Sequence, residues 1–515
     1  MTEISGWNTN VAERHFVNGG GALSWSLTAN WSLTEGGAGG QAVPTAAEDV
    51  FFDAGSPACT VNTVNRVCKT FTASAYAATL TFTYNISVSG NITVGQNMGW
   101  SGAGRLIMLV AGTWTSNGAT IGVNIGIGNF TSGTVTLADA LTTSGDLLLS
   151  NATSTTFSGD FHITAATCST DGSQTITLVH DVTISGLTTI SSGTVIDGAF
   201  NWNTGGLACT SYSVTGTATI VLTGGTWSGG AGKSVSNDLT IAGDVTVSGS
   251  VEFAASGTPT LTYVSGIVTT TGSTLKILSA CTLDTNGMIW NNITVGAAMT
   301  ITINSLFSAT GTLSLPNAAV TFDGTAGFTV GTLTHVTMTG AQIFTFKEAV
   351  TYTITTAWSQ LNTTYTCTIT SAHAATRAII TLGYGATQDI IKINPTRIDS
   401  SLGQCVFCYK ATITDCYNWS DDLGHGRIIP HAGGESVTVA GITKDNAGVA
   451  LGSCDVYLFR DNGNDTATYI AYQESNSVTG AYSFTVFPGS VYFVVAFLGG
   501  GTPVMDVTYR DLAAV

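Results

Sequence analysis

Charged residues are scarce in this sequence. Only 9% of its 515 residues are Asp, Glu, Lys or Arg, against about 25% in ordinary globular proteins. Lys and Arg number 15 against 31 Asp and Glu, so the formal net charge is −16. The basic residues form no run, which argues against nucleic acid and anionic membrane surfaces as partners. Thr and Ser supply most polar positions instead, as is typical of regular strands with uncharged faces.

Long apolar runs, helical stripes and catalytic motifs are also missing. No stretch approaches the roughly 20 apolar residues of a membrane span, although the mean hydropathy is +0.31, so membrane insertion is not expected. The first ten residues, MTEISGWNTN, have no basic region and no apolar core, so no secretory signal is expected. P-loop, GxSxG, HExxH and βαβ-type GxGxxG motifs are absent. The sequence therefore predicts no catalytic residues, no cofactor and no metal.

The chain is rich in alternation between apolar and small polar residues. Residues 238–253 read DLTIAGDVTVSGSVEF, and alternation of this kind is typical of strands with one buried face. Sixteen extended residues would span roughly 50 Å, which exceeds the usual strand length. Gly243 and Gly249 interrupt the apolar phase where bends would fall. The pattern predicts successive short strands that turn at glycines and keep one face inward, with the inward residues being Leu239, Ile241, Val245, Val247, Val251 and Phe253.

A six-residue unit recurs between residues 85 and 296. It consists of Asp or Asn, an aliphatic residue, Thr or Ser, Val or Ile, an optional small residue, and Gly. The first residue can hydrogen-bond the backbone of a turn, and Gly can supply a bend. Such repetition predicts a β-solenoid or stacked β units, while the irregular spacing leaves the coil length open. The predicted repeat positions are Asn85, Asn91, Asp181, Asp238, Asp244 and Asn292 at the start of the unit and Gly90, Gly186, Gly243, Gly249 and Gly296 at its end.

Composition divides the chain into four predicted segments, and the fold class is all-β: a solenoid or stacked β repeats followed by a small β-sandwich. Trp7, Trp25 and Trp31 lie in the first segment, which we interpret as an aromatic cap, with a sugar-binding platform as the alternative. Strands separated by Gly and Asn turns indicate the C-terminal sandwich. The segments are 1–75 (cap or attachment), 76–350 (solenoid), 351–430 (terminal β segment and linker) and 436–515 (β-sandwich).

Isolated reactive residues are explained more simply by structure than by chemistry. His180 shares the inward phase of Leu178 and Val182, which favours a core or corner histidine over a catalytic one. One polar turn lacks the Gly and Glu positions of an EF-hand, so we favour a simple turn over a Ca²⁺ site. The residues of this turn are Asp461, Asn462, Asn464 and Asp465.

Ten cysteines are spread along the chain, and three of them cluster. Cys405 and Cys408 form a CxxC pair, Cys416 follows, and His425 or His431 could supply a fourth zinc ligand. No second CxxC or HxxxH accompanies them. We therefore favour buried or free thiols over a metal site.

Two stretches resemble proteins of known families. The first contains Asn30, Trp31, Ser32 and residues 49–53 (DVFFD), and it resembles the opening of repetitive β proteins of tailed bacteriophages and some bacterial surface proteins. The second runs from Thr366 to an Asn418, Trp419 close, with Asp399 and Ser400 inside it. It resembles a terminal β segment of phage fibre-like and repetitive bacterial surface proteins.

The C-terminal segment carries a third resemblance. Its pattern is similar to the transthyretin-like, carboxypeptidase-regulatory-type sandwich, which implies a non-enzymatic module. The residues that carry this resemblance are Gly441, Gly448, Val456, Tyr457, Leu458, Gly480, Ala481, Tyr482 and Tyr492.

These resemblances imply a virion structural protein of a tailed bacteriophage, a fibre or spike used for host attachment or surface decoration. The expected partners are further copies of the chain, as a homotrimer, other virion proteins, and a host surface glycan or receptor. Self-association would cover the solenoid's uncharged faces and unpaired ends. The sandwich holds more aromatic residues than its core needs, and the surplus is the expected contact: Tyr457, Phe459, Tyr482, Phe484, Tyr492, Phe493 and Phe497.

Two alternatives stay open: a polysaccharide-depolymerising tailspike and a bacterial surface adhesin. A depolymerase needs carboxyl groups about 5 Å or 6.5–9.5 Å apart. Asp238 and Asp244 would be about 20 Å apart in an extended strand, so a pair would have to form across coils. Asn replaces Asp at equivalent positions, which favours hydrogen bonding over acid–base catalysis. An anchor or sorting signal would favour the adhesin, and none is visible in TYRDLAAV.

Overall fold

The fold is almost entirely β. A computed structural model of the chain has 56% of residues in strands and 1% in helix, which confirms the predicted fold class. It describes residues 12–64, 66–128, 133–150, 154–158, 163–191, 193–285, 287–360, 364–383, 386–403, 406–409, 411–416, 419–422, 437–463, 466–486, 491–498 and 512–513. The helical content of these residues is a 3₁₀ turn at Thr28–Asn30. None of their helices is long and apolar enough to cross a membrane.

The chain divides into two compact units, residues 1–273 and 274–515. Its described residues form 33 short strands in the first unit. They are β1 (Glu13–Phe16), β2 (Trp31–Ser32), β3 (Asp49–Phe51), β4 (Cys59–Val61), β5 (Arg66–Cys68), β6 (Thr70–Ala73), β7 (Thr79–Phe82), β8 (Ile86–Val88), β9 (Ile92–Val94), β10 (Gly99–Gly102), β11 (Arg105–Met108), β12 (Gly112–Thr115), β13 (Thr120–Ile121), β14 (Asn124–Gly128), β15 (Gly133–Leu137), β16 (Leu141–Thr143), β17 (Asp146–Ser150), β18 (Ser154–Ser158), β19 (Ile163–Ala165), β20 (Thr167–Asp171), β21 (Gln174–Thr177), β22 (Val182–Ile190), β23 (Thr194–Asp197), β24 (Asn201–Cys209), β25 (Val214–Thr215), β26 (Thr219–Leu222), β27 (Gly225–Ser228), β28 (Ser234–Val235), β29 (Leu239–Ile241), β30 (Val245–Ser248), β31 (Ser250–Phe253), β32 (Thr260–Tyr263) and β33 (Val268–Thr269).

Parallel pairing between the strands of successive windings defines the solenoid, and we call one winding a coil. Hydrogen bonds between coils show the coil length that the sequence left open. Asn85 Oδ1 accepts from Arg105 N, 20 residues further along the chain, and Asp244 Oδ1 accepts from Ile267 N, 23 residues further along. The coil length therefore varies along the stack.

One inward stack in the first unit shows how the coils share a core. Its neighbours pair directly across β16, β19, β22, β24, β26, β29 and β32. Every member is buried. The stack consists of Leu141, Ile163, Val182, Trp202, Ile220, Leu239 and Leu261.

Residues 238–253 behave as predicted. They form β29, β30 and β31, separated at Gly243 and Gly249, and all six predicted inward residues are buried. Glu252 is the exception in the polar phase: it is 5% exposed, and its Oε2 accepts a hydrogen bond from Gly232 N at 2.8 Å. Alternation therefore predicts the inward face correctly, while one side chain of the polar phase is buried where it accepts a hydrogen bond from the neighbouring coil.

In the second unit, the residues that the structure describes form 23 strands. They are β34 (Thr274–Ile277), β35 (Cys281–Asp284), β36 (Ile289–Trp290), β37 (Asn292–Val295), β38 (Met299–Ile303), β39 (Phe307–Leu315), β40 (Val320–Gly324), β41 (Phe328–His335), β42 (Gln342–Phe346), β43 (Thr351–Gln360), β44 (Cys367–Ser371), β45 (Ala378–Leu382), β46 (Thr387–Ile390), β47 (Ile393–Thr396), β48 (Ile398–Asp399), β49 (Val406–Tyr409), β50 (Trp419–Asp422), β51 (Val437–Ile442), β52 (Cys454–Gly463), β53 (Thr466–Glu474), β54 (Ala481–Val486), β55 (Val491–Leu498) and β56 (Leu512–Ala513).

Solenoid stacking in this unit crosses residue 350 without a break. β43 pairs in parallel with β41, β44 with β42, and β47 with β44. Residues 351–399 thus continue the coils, because they keep the same inward and outward alternation, and residue 350 does not end the solenoid. The two units together contain about 16 coils.

The N-terminal aromatic residues pack into a buried cluster. Trp25 and Trp31 are both 0% exposed, their ring centroids lie 4.9 Å apart at 70°, and Trp31 Nε1 donates to Trp25 O at 2.8 Å. Phe16 and Phe52 pack on the same rings. Neither tryptophan offers a face to a sugar, so the alternative of a sugar platform on these two residues is wrong; Trp7 lies outside the described residues.

The C-terminal part folds into two antiparallel sheets. β51 pairs with β54, and the second sheet has the order β53–β52–β55–β56. Side chains from both sheets share one apolar core, which is the sandwich arrangement that the sequence predicts. The core residues are Val439, Cys454, Val456, Leu458, Phe484 and Tyr492.

Candidate functional site

The predicted Asp and Asn repeat positions form a ladder of hydrogen bonds between coils. In each case the side-chain Oδ1 accepts a hydrogen bond from a backbone N–H that lies 20 to 23 residues further along the chain. The expectation of bonding within their own turn is therefore wrong. The bonds are Asn85 to Arg105 (2.9 Å), Asn91 to Thr113 (2.9 Å), Asp181 to Asn201 (2.8 Å), Asp238 to Thr260 (2.7 Å), Asp244 to Ile267 (2.7 Å) and Asn292 to Thr312 (2.9 Å).

Four residues outside the six-residue unit make the same bond. Asn124, Asp197, Asn317 and Asn394 accept from backbone N–H groups 18 to 22 residues further on, at 2.8–3.1 Å. The residues that follow them in the sequence do not match the six-residue unit, so the repeat pattern did not predict them. A search for Asp or Asn at coil-length intervals would have found them, once the coil length was known.

This bond explains why Asp and Asn alternate at the repeat positions. A carboxylate oxygen and an amide oxygen accept an N–H equally well in geometry. At Asp238 and Asp244 the carboxylate thus holds the start of the next coil in place. We assign these side chains a positioning role in the fold.

The repeat glycines are needed for close approach more than for bending. A Cβ on Gly90 or Gly186 would lie 2.7 Å from a carbonyl oxygen of the preceding coil, and one on Gly243 would lie 1.9 Å from Thr223 O. Gly186 even lies inside strand β22. Gly249 is different, because its φ of +67° is a left-handed conformation with open space around it. A Cβ on Gly296 would touch the Leu278 side chain at 3.1 Å.

The single histidines and cysteines occupy structural positions. His180 is half-buried, with its ring 5.2 Å from that of Phe200. Burial raises the pKa of the Cys209 and Cys281 thiols to about 12. Cys408 Sγ exchanges hydrogen bonds with the backbone of Ile393, and Cys416 Sγ accepts from Ile398 N at 3.3 Å.

The proposed metal sites fall largely outside the described residues. Cys405, His425 and His431 lie there, as do the side chains of the polar turn at 461–465. The described cysteines are free thiols. In the described ranges, no group of three His, Cys, Asp or Glu side chains is placed to hold a metal ion.

One cluster that the sequence reading missed lies in the first coil. His15 is 8% exposed, with Nδ1 2.7 Å from Asp53 Oδ2 and Nε2 3.4 Å from Glu13 Oε2. Its ring stacks on Phe51 at 4.8 Å. The histidine ties β1 to the chain after β3, which closes the start of the solenoid.

The outer face of the β53–β52–β55 sheet carries the most unusual surface. Cross-strand register places nine side chains in three rows there: Tyr469, Phe459 and Phe493; Tyr472, Tyr457 and Val495; and Glu474, Asp455 and Phe497. We call this surface the aromatic face. Its members alternate along the strands with Val456, Leu458 and Tyr492, which are buried in the sandwich core.

The rings of the aromatic face contact one another and remain accessible to water. Tyr472 is 48% and Tyr469 37% exposed, and the other aromatic members are half-buried. Phe459 and Phe493 stack at 5.2 Å with an interplanar angle of 12°, and Tyr457 meets Phe497 edge-on at 5.7 Å. Exposed apolar patches of this kind mark interaction sites.

The structure sorts the aromatic residues that the sequence singled out. Phe484 and Tyr492 lie in the core and Tyr482 packs against it, while Tyr457, Phe459, Phe493 and Phe497 lie on the aromatic face. Tyr469 and Tyr472 were not singled out. Their alternation with inward residues was the available signal, but a bulge between Leu458 and Phe459 shifts the register of their strand.

Two carboxylates border the aromatic face. Asp455 and Glu474 lie directly opposite each other on neighbouring strands. Asp455 Oδ1 accepts a hydrogen bond from the Tyr472 hydroxyl at 2.7 Å. This bond, more than any other cause, raises the pKa of Tyr472 to about 12. The corner of the face is therefore acidic and its centre is aromatic.

Comparison with known proteins adds no relative: no family model matches the chain, and no curated protein or solved structure is significantly similar to it.

Proposed function

We propose that this chain is a virion structural protein of a tailed bacteriophage, a fibre or spike that serves host attachment or surface decoration. The observation that carries the proposal is the parallel stacking of coils within each of the two units, about 16 coils in all. Each coil adds about 4.8 Å of axial length for roughly 20 residues, and the ladder of Asp and Asn side chains bonds successive coils. Such a stack is a stiff spacer built from a modest chain length.

The outward surface of the coils suits a structure that stands in solution. One outward rank in the first unit consists of Thr120, Thr142, Thr164 and Thr183, each paired with the next across coils. Hydroxyl groups hydrate this surface without charge, so neighbouring coils do not repel each other. We propose that the chain acts as a homotrimer and is joined to other virion proteins.

Labelling of particles tests this proposal. Antibody against the purified chain is applied to phage particles released from cells that carry the gene, and gold label is located by electron microscopy. We expect label on a tail or surface projection of the particle. Label on the cell envelope with none on particles would overturn the proposal in favour of the adhesin.

A second assay separates the fibre from the depolymerase. The purified chain is incubated with surface polysaccharide of the host, and new reducing ends are measured. A fibre without enzymatic activity leaves the polysaccharide intact and competes with particles for adsorption to cells. Release of reducing ends, with loss of this release in Asp244→Asn, would contradict the non-enzymatic proposal.

A further inference from the structure

We propose that the aromatic face of the sandwich is a self-association surface, whose occupant is the same face of another copy of this chain. This inference rests on the homo-oligomeric part of the proposed function, and it names the contact. It does not depend on the chain's origin in a virion.

The residue pattern of β52 and β55 indicates that another protein layer covers the aromatic face. Along residues 456–459 of β52 and along β55 both phases are apolar or aromatic: Val456 and Leu458 point into the core, whereas Tyr457, Phe459 and Phe493 point outward. A two-layer sandwich normally alternates apolar residues inside with polar residues outside. A sheet that is apolar on both sides is typical of one covered on both sides.

Ring geometry favours a protein partner over a sugar. A sugar stacks its C–H groups on a ring whose face is open to solvent. Here the faces of Phe459 and Phe493 are turned toward each other, at 12° and 5.2 Å, and Tyr469 meets Phe459 at 68°. The surface therefore presents ring edges with grooves between them. A second surface of the same kind can place its rings in these grooves, as the side chains of two packed sheets interdigitate in a sandwich.

The size of the face fits a weak contact between copies. Six aromatic side chains of 150–250 Å², each roughly one third accessible, present on the order of 400 Å² per chain. Val495, which is half-buried, extends this area. Two apposed faces then bury on the order of 800 Å², which is below the roughly 1,200 Å² of stable specific interfaces and in the range of weak contacts. The contact is therefore modest, and its occupancy depends on chain concentration.

The acidic corner predicts how salt acts on the contact. The chain has a net charge of −16, and Asp455 and Glu474 lie at the border of the face. Two copies bring acidic borders close together, so added salt screens their repulsion and tightens the association. A basic partner of another kind would be released by salt instead.

The test measures the mass of the full chain by sedimentation between 1 and 100 µM, at low and high NaCl. We expect a monomer–oligomer equilibrium that salt shifts toward the oligomer. Tyr472→Ser and Phe459→Ser should each raise the dissociation constant at least tenfold. The matched control is Tyr212→Ser, which removes a 56% exposed tyrosine of the solenoid and should leave the mass unchanged. Circular dichroism confirms that each variant is folded.

The outcomes separate this inference from the proposed function. A dimer lost in the face variants supports face-to-face pairing, and a trimer lost in them supports a face turned toward a three-fold axis. A wild-type monomer at 100 µM overturns the inference, whatever the particle labelling shows. An oligomer unaffected by both face variants overturns it too and places the contact elsewhere. Loss of the oligomer on adding polysaccharide would identify the occupant as a glycan and also overturn it.

Discussion

The solenoid and the sandwich use the same alternation of residues in opposite ways. In the solenoid, outward positions such as Thr142 and Thr164 carry small hydroxylated side chains, which are hydrated by solvent. In the sandwich the outward phase of one sheet is aromatic, as at Tyr457 and Phe459. A coil closes its core by winding back on itself, so it needs no further layer. An open sheet with two apolar faces needs one, and that difference points to the sandwich as the contact.

Asp residues show the same contrast between the two regions. Asp244 in the solenoid accepts an N–H from Ile267 in the next coil. Asp445 in the sandwich accepts the N–H groups of Ala447 and Val449, within its own turn, at 3.0 and 2.8 Å. An antiparallel sheet closes its hairpins locally, whereas a parallel coil meets its neighbour only after a full winding of the chain. The topology of the strands therefore decides whether an Asp side chain bonds to its own turn or to a distant part of the chain.

The largest expected difference between the two regions is the loss of stability when a buried solenoid aromatic and an outward sandwich aromatic are each replaced by alanine. Trp202 is 1% exposed and its Nε1 donates to Thr188 Oγ1 at 3.1 Å, so Trp202→Ala should cost about 3–5 kcal/mol. Phe493→Ala, on the aromatic face, should cost about 1 kcal/mol or less in the monomer. Hydrogen exchange of the adjacent strands measures both effects locally. Equal losses would mean that the aromatic face is part of the core.

Acid and alkali should act on the two regions through different groups. Both ring nitrogens of His335, at the end of β41, are buried without a hydrogen-bond partner among the described residues, and burial lowers the pKa of His335 to about 3. The unfolded chain takes up a proton below pH 6.5 and the folded chain does not. Solenoid stability should thus fall between pH 6.5 and 3, by up to about 1.4 kcal/mol per pH unit.

The sandwich should respond at high pH through Tyr472, and the solenoid through buried thiols such as Cys209 and Cys281, whose pKa is also raised. The raised pKa of Tyr472, about 12, keeps the folded hydroxyl protonated where the unfolded one ionises, so stability falls as pH rises from 10 toward 12. Urea unfolding followed region by region with hydrogen exchange measures both trends. His335→Leu should reduce the acid effect in the solenoid. Tyr472→Phe should reduce the alkaline effect in the sandwich, to which the raised pKa values of Tyr469 and Tyr482 also contribute. The control His373→Leu removes an exposed histidine and should change neither; an acid effect retained in full in His335→Leu would refute its assignment.

The smallest expected effect tests the ladder between coils. Asp244→Asn keeps an acceptor oxygen for Ile267 N, so stability should change by less than about 0.5 kcal/mol and biological activity should persist. Asp244→Ala removes the acceptor and should cost about 1 kcal/mol. Exchange of the Ile267 amide reports the change, and it should quicken in the alanine variant alone. Equal exchange in both variants would show that the carboxylate charge, and not the acceptor, holds the coil.

The sequence by itself determined the all-β fold, the inward face of residues 238–253 and the repeat positions. Alternation and the spacing of glycines are local properties of the sequence, and they act directly because successive side chains of a strand point to opposite faces. The sequence could not supply the partner of Asp244, because the bonded N–H of Ile267 lies in the next coil and the coil length is a property of the stacked chain.

Tertiary structure alone decided which aromatic residues of the sandwich are surplus. Tyr492 and Phe493 are neighbours in sequence and equally apolar, yet one lies in the core and the other on the aromatic face. Their assignment depends on which side of the sheet meets β51 and β54. It also depends on a bulge at Ile470 in β53, which puts Tyr469 and Tyr472 on the same face although they are three residues apart. Register and layer order arise from contacts between distant strands, so only the folded chain fixes them.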